Sequence, residues 1–307
     1  MMNFELLPNE ILFDLFDYFN GIDLLRIFYA LNTRLNFLLY QQFHRYHFNF
    51  FSSSKHQFDM VCQHHLPFIA DRIVTLTLSN YDSTSKQINL FFSYIPSISQ
   101  FTHLRSLNLW NIPSSRTFLK ITEKFHHLYN LTHLPLKFYF KFNDQMNFQL
   151  INNNIWNFPK LTHCHFEGYI DKQWDFHLST RFSRSLSNVY ISAFKFQLNQ
   201  IYQLFQYASH LKHLSIYIDS DENDEYKPIA IPTLIDLKIF NFYTSDTSKV
   251  IAFLQNLSNL HRLNINLSYN LIDGYQWEQI IRYYLSKLKI FNLNMKKKFS
   301  IDQNIQE

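Results

Sequence analysis

Glycine is nearly missing from this 307-residue chain: three residues, Gly21, Gly168 and Gly274, are all it has. Glycine-built phosphate cradles are thereby excluded, because a P-loop or dinucleotide fingerprint needs several glycines close together for tight backbone approach. Cysteine is equally sparse. Cys62 and Cys164 cannot form a disulfide framework, and two cysteines beside fifteen histidines fit a reducing compartment. No apolar run approaches the length of a membrane span, and Asn3-Phe4-Glu5 is not a charged-then-apolar leader, so the expected location is cytoplasmic or nuclear. Charge is also low, at 17% of residues with a net +4, and the two signs are interspersed, which implies no strong nucleic-acid field.

What the chain has instead is apolar residues, 47% of the total, enough for a sizeable core without staples. From Ile73 they fall into a repeating order. The units are Ile73-x-x-Leu76-x-Leu78, Leu104-x-x-Leu107-x-Leu109, Leu131-x-x-Leu134-x-Leu136, Leu161-x-x-Cys164-x-Phe166 and Leu186-x-x-Val189-x-Ile191. Four more follow, beginning at Leu211, Leu234, Leu260 and Leu288. Nine units spaced by about 23 to 31 residues have the period and pattern of a leucine-rich repeat. The last two apolar positions of each unit are two apart, which in a strand puts both on one face, toward a core. No short strand buries that face alone, so neighbouring units must stack. Helical returns are expected, most clearly over Phe196 to Tyr207, Ser248 to Leu257 and Tyr275 to Leu285. The run from Asp219 to Glu225 reads as a solvated acidic loop, and Lys296-Lys297-Lys298 as a solvated cap.

The chain before the repeats is different. Pro8 suits a first helical turn, Glu10 favours the same turn, and Ile11, Leu12, Leu15, Phe16 and Phe19 recur at helical spacing up to Asn20-Gly21. A second helix is expected from Asp23 as its cap, burying Leu24, Ile27, Phe28 and Leu31, and a third from Asn32 or Thr33 with Leu35, Leu38 and Leu39. A short strand around His47 to Phe51, then a helix capped at Ser53 or Ser54 and ended by Pro67, links this part to the repeats.

Leu7-Pro8-Asn9-Glu10-Ile11-Leu12, then Asp23-Leu24-Leu25-Arg26, then Leu31-Asn32-Thr33-Arg34-Leu35, resembles the F-box, the adaptor-binding domain of cullin-type ubiquitin ligases. Leu35 stands where that family often has Trp or Phe. The resemblance implies a three-helix F-box over residues 1–45, a helical linker and cap over 46–70, and a leucine-rich-repeat solenoid over 71–307, an α/β fold with a curved parallel sheet. It further implies that Leu7, Pro8, Glu10, Ile11, Leu12, Leu15, Leu24, Leu25 and Leu35 meet a Skp-type adaptor. The chain would then be a substrate receptor, with no active site and no cofactor of its own.

Between the core leucines, the strands should present a concave face. Its candidate target-binding residues are Trp110, His133, His163, His165, Tyr190, His213, Tyr217, Lys238, Phe240 and Arg262, since aromatics mixed with cations are typical of protein-binding hot spots. The first unit would add only small polar residues, Thr75, Thr77 and Ser79. His163-Cys164-His165 and Cys62-x-His64-His65 suggest zinc by composition alone. In a strand, however, Cys164 points away from its histidines, and neighbours in a helix do not converge. Rival readings are a repeat scaffold whose N-terminal helices only cap the first unit, and an RNA-binding repeat, which the mild charge disfavours.

Overall fold

The computed structural model describes residues 4–42, 47–81, 86–139, 153–168, 183–220, 229–244, 246–267 and 272–295. It is an α/β chain whose ten strands among these residues are all parallel and follow chain order. Two compact units divide it, Met1–His163 and Cys164–Glu307, so the boundaries read from the sequence at 45 and 70 both fall inside the first. Lys296 to Lys298 and most of the acidic run lie outside the described residues.

The first unit opens with three helices, α1 (Asn9–Phe16), α2 (Gly21–Phe28) and α3 (Thr33–Gln42). After them come β1 (His47–Asn49), α4 (Lys55–His64), α5 (Leu66–Ile69), β2 (Thr75–Ser79), α6 (Gln87–Tyr94), β3 (Ser106–Ile112), α7 (Ser115–Thr122) and β4 (His133–Phe138). Strand β5 (His163–Gly168) starts at the unit's last residue. The second unit continues through β6 (Asn188–Phe196), α8 (Leu198–Tyr207), β7 (His213–Asp219), β8 (Asp236–Tyr243), α9 (Thr247–Gln255), β9 (Arg262–Leu267), α10 (Gly274–Tyr283) and β10 (Ile290–Met295).

Each of the nine sequence units supplies one strand, beginning two residues after its first apolar position. Register then aligns the repeated residues: Leu76 with Leu107 and Leu78 with Leu109 in the first unit, Leu214 with Leu237 and Ile216 with Ile239 in the second. All eight are buried. Side chains of alternate strand residues share a face, so within each unit this register builds an apolar layer from short strands that have none of their own. Strand β1 adds a tenth member outside the repeat, pairing Phe48 with Leu76.

A second regularity lies at the strand starts. The carbonyl of Arg105 accepts the amides of both Thr132 and His133 (2.8 and 2.9 Å), and that of Thr132 those of Thr162 and His163 (2.9 Å each). In the second unit the same shared acceptor recurs at Ser187, Lys212, Ile235 and His261. The ladder bonds of parallel strands are slanted, and one carbonyl serving two amides at a strand start leaves neither unsatisfied.

Helix starts follow side-chain chemistry. Ser54 caps α4 in a reciprocal pair with Gln57, and Asp273 caps α10 with Gln276. Pro67 does not end a helix. It sits in the first turn of α5, where its missing N–H costs nothing. The buried Gln87 accepts from the Ser79 amide (2.7 Å) and donates to the Phe50 carbonyl (3.0 Å), joining α6 to the loop after β1 and the end of β2. A register shift in β3 between Leu109 and Ile112 holds Asn111 at φ 56°, a left-handed conformation that asparagine tolerates better than most residues.

Candidate interaction surfaces

The three N-terminal helices have two faces. Their inner one contains Leu12, Phe16, Leu24, Leu25, Phe28, Leu35, Leu38 and Leu39, all buried. Helix α2 lies against β1 so closely that a Cβ on Gly21 would stand 2.5 Å from the Phe48 ring. This glycine therefore serves close approach, not a turn. The outer face carries Leu6 (81% exposed), Ile11, Ile27, Leu31 and Phe37, with Pro8 and Glu10 also exposed. Isolated exposed apolar residues are ordinary, but several in a short helical segment mark a contact surface.

These positions correct several sequence expectations. Leu12, Leu24, Leu25 and Leu35 cannot meet a partner in this conformation, because helical spacing points them inward with 0–2% exposure. Leu7 and Leu15 are half-buried. Ile27 and Leu31, expected inside, are outside, while Leu25 takes the inner place. Asn20, not Asp23, caps α2, accepting the amides of Ile22 and Asp23 at 2.8 and 3.2 Å. Asn32 does cap α3, through the Leu35 amide at 2.8 Å.

Arg34 ties the outer face together. Its guanidinium donates to the Leu7 carbonyl and to Asn9 Oδ1, both at 2.6 Å, drawing the start of α3 to the start of α1. Phe37, three residues further along α3, is exposed. No local sequence pattern signals this bond between residues so far apart in the chain.

The strand side opposite the buried leucines differs between the two units. In the first, Thr77 and Ser79 of β2 are buried instead of open, and Asn108 donates to Thr77 Oγ1 at 2.8 Å. Trp110 is half-buried, with the Lys137 ammonium 5.6 Å from its ring centre. His133 stacks on His163 with ring centres 4.2 Å apart, and burial lowers the His133 pKa, which favours the neutral ring.

In the second unit, aromatics gather. His165 stacks on Tyr190 at 4.0 Å, and Tyr190 and Tyr217 each stand 5.1 Å from Phe240. The Lys238 ammonium lies 5.0 Å from the Phe240 ring centre, in cation–π range. Burial, then the neighbouring Tyr243 and Tyr190, raise the Tyr217 pKa and keep its phenol protonated. Beside this cluster, the Asp236 carboxylate stands 3.5 Å from Arg262 and 3.8 Å from His213. The three border a cleft of about 420 Å³ together with Lys238 and Asn292. Sequence reasoning therefore named residues that the fold brings into contact: Tyr190, Tyr217, Lys238 and Phe240 in one cluster, His213 and Arg262 on one carboxylate. It missed Asp219, which is buried and paired with Lys195 at 2.9 Å, not solvated.

Both cysteines are buried, and burial raises both thiol pKa values, so neither is poised as a thiolate. Among the described residues no three His, Cys, Asp or Glu side chains stand close enough together to hold a metal ion. No helix of the described residues is long and apolar enough to cross a membrane.

No protein-family model matches the chain, and no curated protein matches its sequence.

Proposed function

We propose that this chain is the substrate-recognition subunit of a cullin-type ubiquitin ligase, an F-box followed by leucine-rich repeats. Its N-terminal helices would dock on a Skp-type adaptor, and its strands would hold a target protein. The observation that carries this reading is the outer face of the helices, where Leu6, Pro8, Ile11 and Phe37 stay open to solvent although the inner face is fully packed. Helices serving only as a cap have no need of that second apolar face. In this reading the chain contributes no reacting group and acts by proximity, placing target lysines near other subunits. The aromatic and cationic cluster of Tyr190, Tyr217, Lys238 and Phe240 is the favoured target contact. The place of action is the cytoplasm or nucleus.

Co-precipitation of the tagged chain with adaptor and cullin tests this directly. Wild type should capture both, and Ile11→Glu with Phe37→Glu should capture neither while keeping its thermal unfolding. A folded wild type that captures no adaptor sinks the assignment.

One observation favours a second reading, a repeat scaffold not coupled to ubiquitin. Helix α2 packs directly on Phe48 of β1, so the helices also cover a strand edge. Capture of a target without adaptor would be its signature.

A further inference from the structure

At the strand starts of the first unit lies a groove of about 760 Å³, bordered by His103, Arg105, Asn130, Thr132, His133 and Lys160. It lies on the edge of the strands instead of their exposed faces. Its residues hold positions just before and just after the first apolar residue of successive repeat units, so the repeat itself stacks them side by side. The stacking is hydrogen-bonded: Lys160 Nζ donates to Asn130 Oδ1 at 2.6 Å, Asn130 Nδ2 to the Thr102 carbonyl at 2.7 Å, and Thr132 Oγ1 to the Arg105 carbonyl at 3.0 Å. These bonds fix the Lys160 ammonium and the Asn130 amide while leaving each with further N–H donors.

No carboxylate borders this groove. Asp71 meets His103 through its backbone carbonyl (2.5 Å), and its carboxylate stands 3.9 Å from Arg72. Arg105 is exposed, and among the described residues its guanidinium makes no ion pair or side-chain hydrogen bond. Arg105 and Lys160 border one groove from repeat units on either side of the Asn130 unit, among amide and hydroxyl groups and with no carboxylate in the lining, which forms a complement to a negative charge.

We infer that this groove binds an anionic segment of a protein partner, with Arg105 and Lys160 engaging a phosphate group or paired carboxylates. A polynucleotide is the poorer fit. The net charge is only +4, two cations neutralise few phosphates, and the His133 ring is already stacked on His163 instead of open to a base. The inference goes beyond the ligase reading and does not depend on the adaptor.

The test uses the purified full chain and fluorescence anisotropy. Four labelled peptides share a serine, glycine and alanine sequence: one plain, one with a phosphoserine, one with two glutamates at that place, and one with two lysines. An RNA oligonucleotide of similar charge is the fifth probe. The phosphoserine or the glutamate peptide should bind and the plain and lysine peptides should not, with the tighter of the two anionic peptides identifying the source of the charge. Arg105→Gln with Lys160→Gln should weaken that binding about tenfold, since it removes two charge-assisted contacts. Lys55→Gln, exposed at the start of α4, should leave it unchanged. Both changed groove residues are exposed, so a matched unfolding curve will show the fold intact. The inference is overturned if neither anionic peptide binds, if the double change has no effect, or if RNA binds at least as tightly.

Discussion

The first and last strands among the described residues are treated differently. In β1, Phe48 is wholly buried under α2, although the strand has only three residues. In β10, Phe291 and Leu293 are half-buried and Ile290 and Met295 exposed, with the Trp277 ring of α10 5.0 Å from Phe291. Edge strands present unpaired backbone and invite unwanted pairing unless they are short, covered or otherwise blunted. The comparison shows that the N-terminal helices are part of the fold at β1 as well as bearing a second, open face. Covering β1 occupies the inner side and leaves the outer side open, so the capping role and the proposed docking role need not be alternatives.

The largest expected effect is at the covered edge. Phe48→Ala should lower stability by about 3–5 kcal/mol in urea unfolding, the cost of a large cavity in a packed site. A result near zero would mean that the helices do not depend on β1. Next is a pH dependence confined to the same region. His65 is buried, meets Tyr40 OH at 2.9 Å and Met60 Sδ at 3.2 Å, and burial, then His64, lower its pKa to about 4. Its neutral form is the one the fold accepts. As pH falls below about 6.5, the unfolded chain takes the proton first, so stability should decline until about pH 4, by up to about 3 kcal/mol. Above pH 6.5 this contribution is complete, and His65→Gln should flatten the profile between the two values.

A smaller effect is expected at Gly21. Gly21→Ala drives a methyl group into the Phe48 ring and should cost about 1–3 kcal/mol, with recovery when Phe48→Leu is added. No coupling between the two would show that α2 shifts freely. The smallest is Phe291→Ala in β10, expected at about 1 kcal/mol because only part of the ring leaves water. A loss as large as that of Phe48→Ala would erase the contrast between the two strands.

How much of this was legible in the sequence depended on periodicity. All nine repeated strands start where the apolar spacing puts them, because a residue that must be buried every second position leaves no choice of register. Helix ends were less clear. Asn20 and Asp23 are both good caps, and the choice between them fell to Phe48, which only glycine lets α2 approach. Ile27 and Leu31 looked like core by type, yet both are exposed, and no residue count reveals which of two apolar stripes is covered. Thr77 and Ser79 looked like an exposed strip, but burial at β2 is decided by distant groups such as Asn108 and Gln87. The aromatic cluster was legible as residues, since Tyr190, Tyr217 and Phe240 sit at outward positions of adjacent strands. Its contacts were not, because they depend on side-chain lean across neighbouring strands.

The shared carbonyl at each strand start has a consequence for how such a chain can change length. Within the second unit, Ser187, Lys212, Ile235 and His261 each offer one oxygen to the amide just before the following strand and to that strand's first amide. Every joint therefore uses the same backbone parts, whatever the side chains. A whole repeat removed or duplicated leaves an acceptor facing the two donors it requires, whereas a fraction of a repeat leaves one of them stranded. The fold is indifferent to the number of its links and intolerant of a broken one, so insertions and losses in this chain should come in complete units.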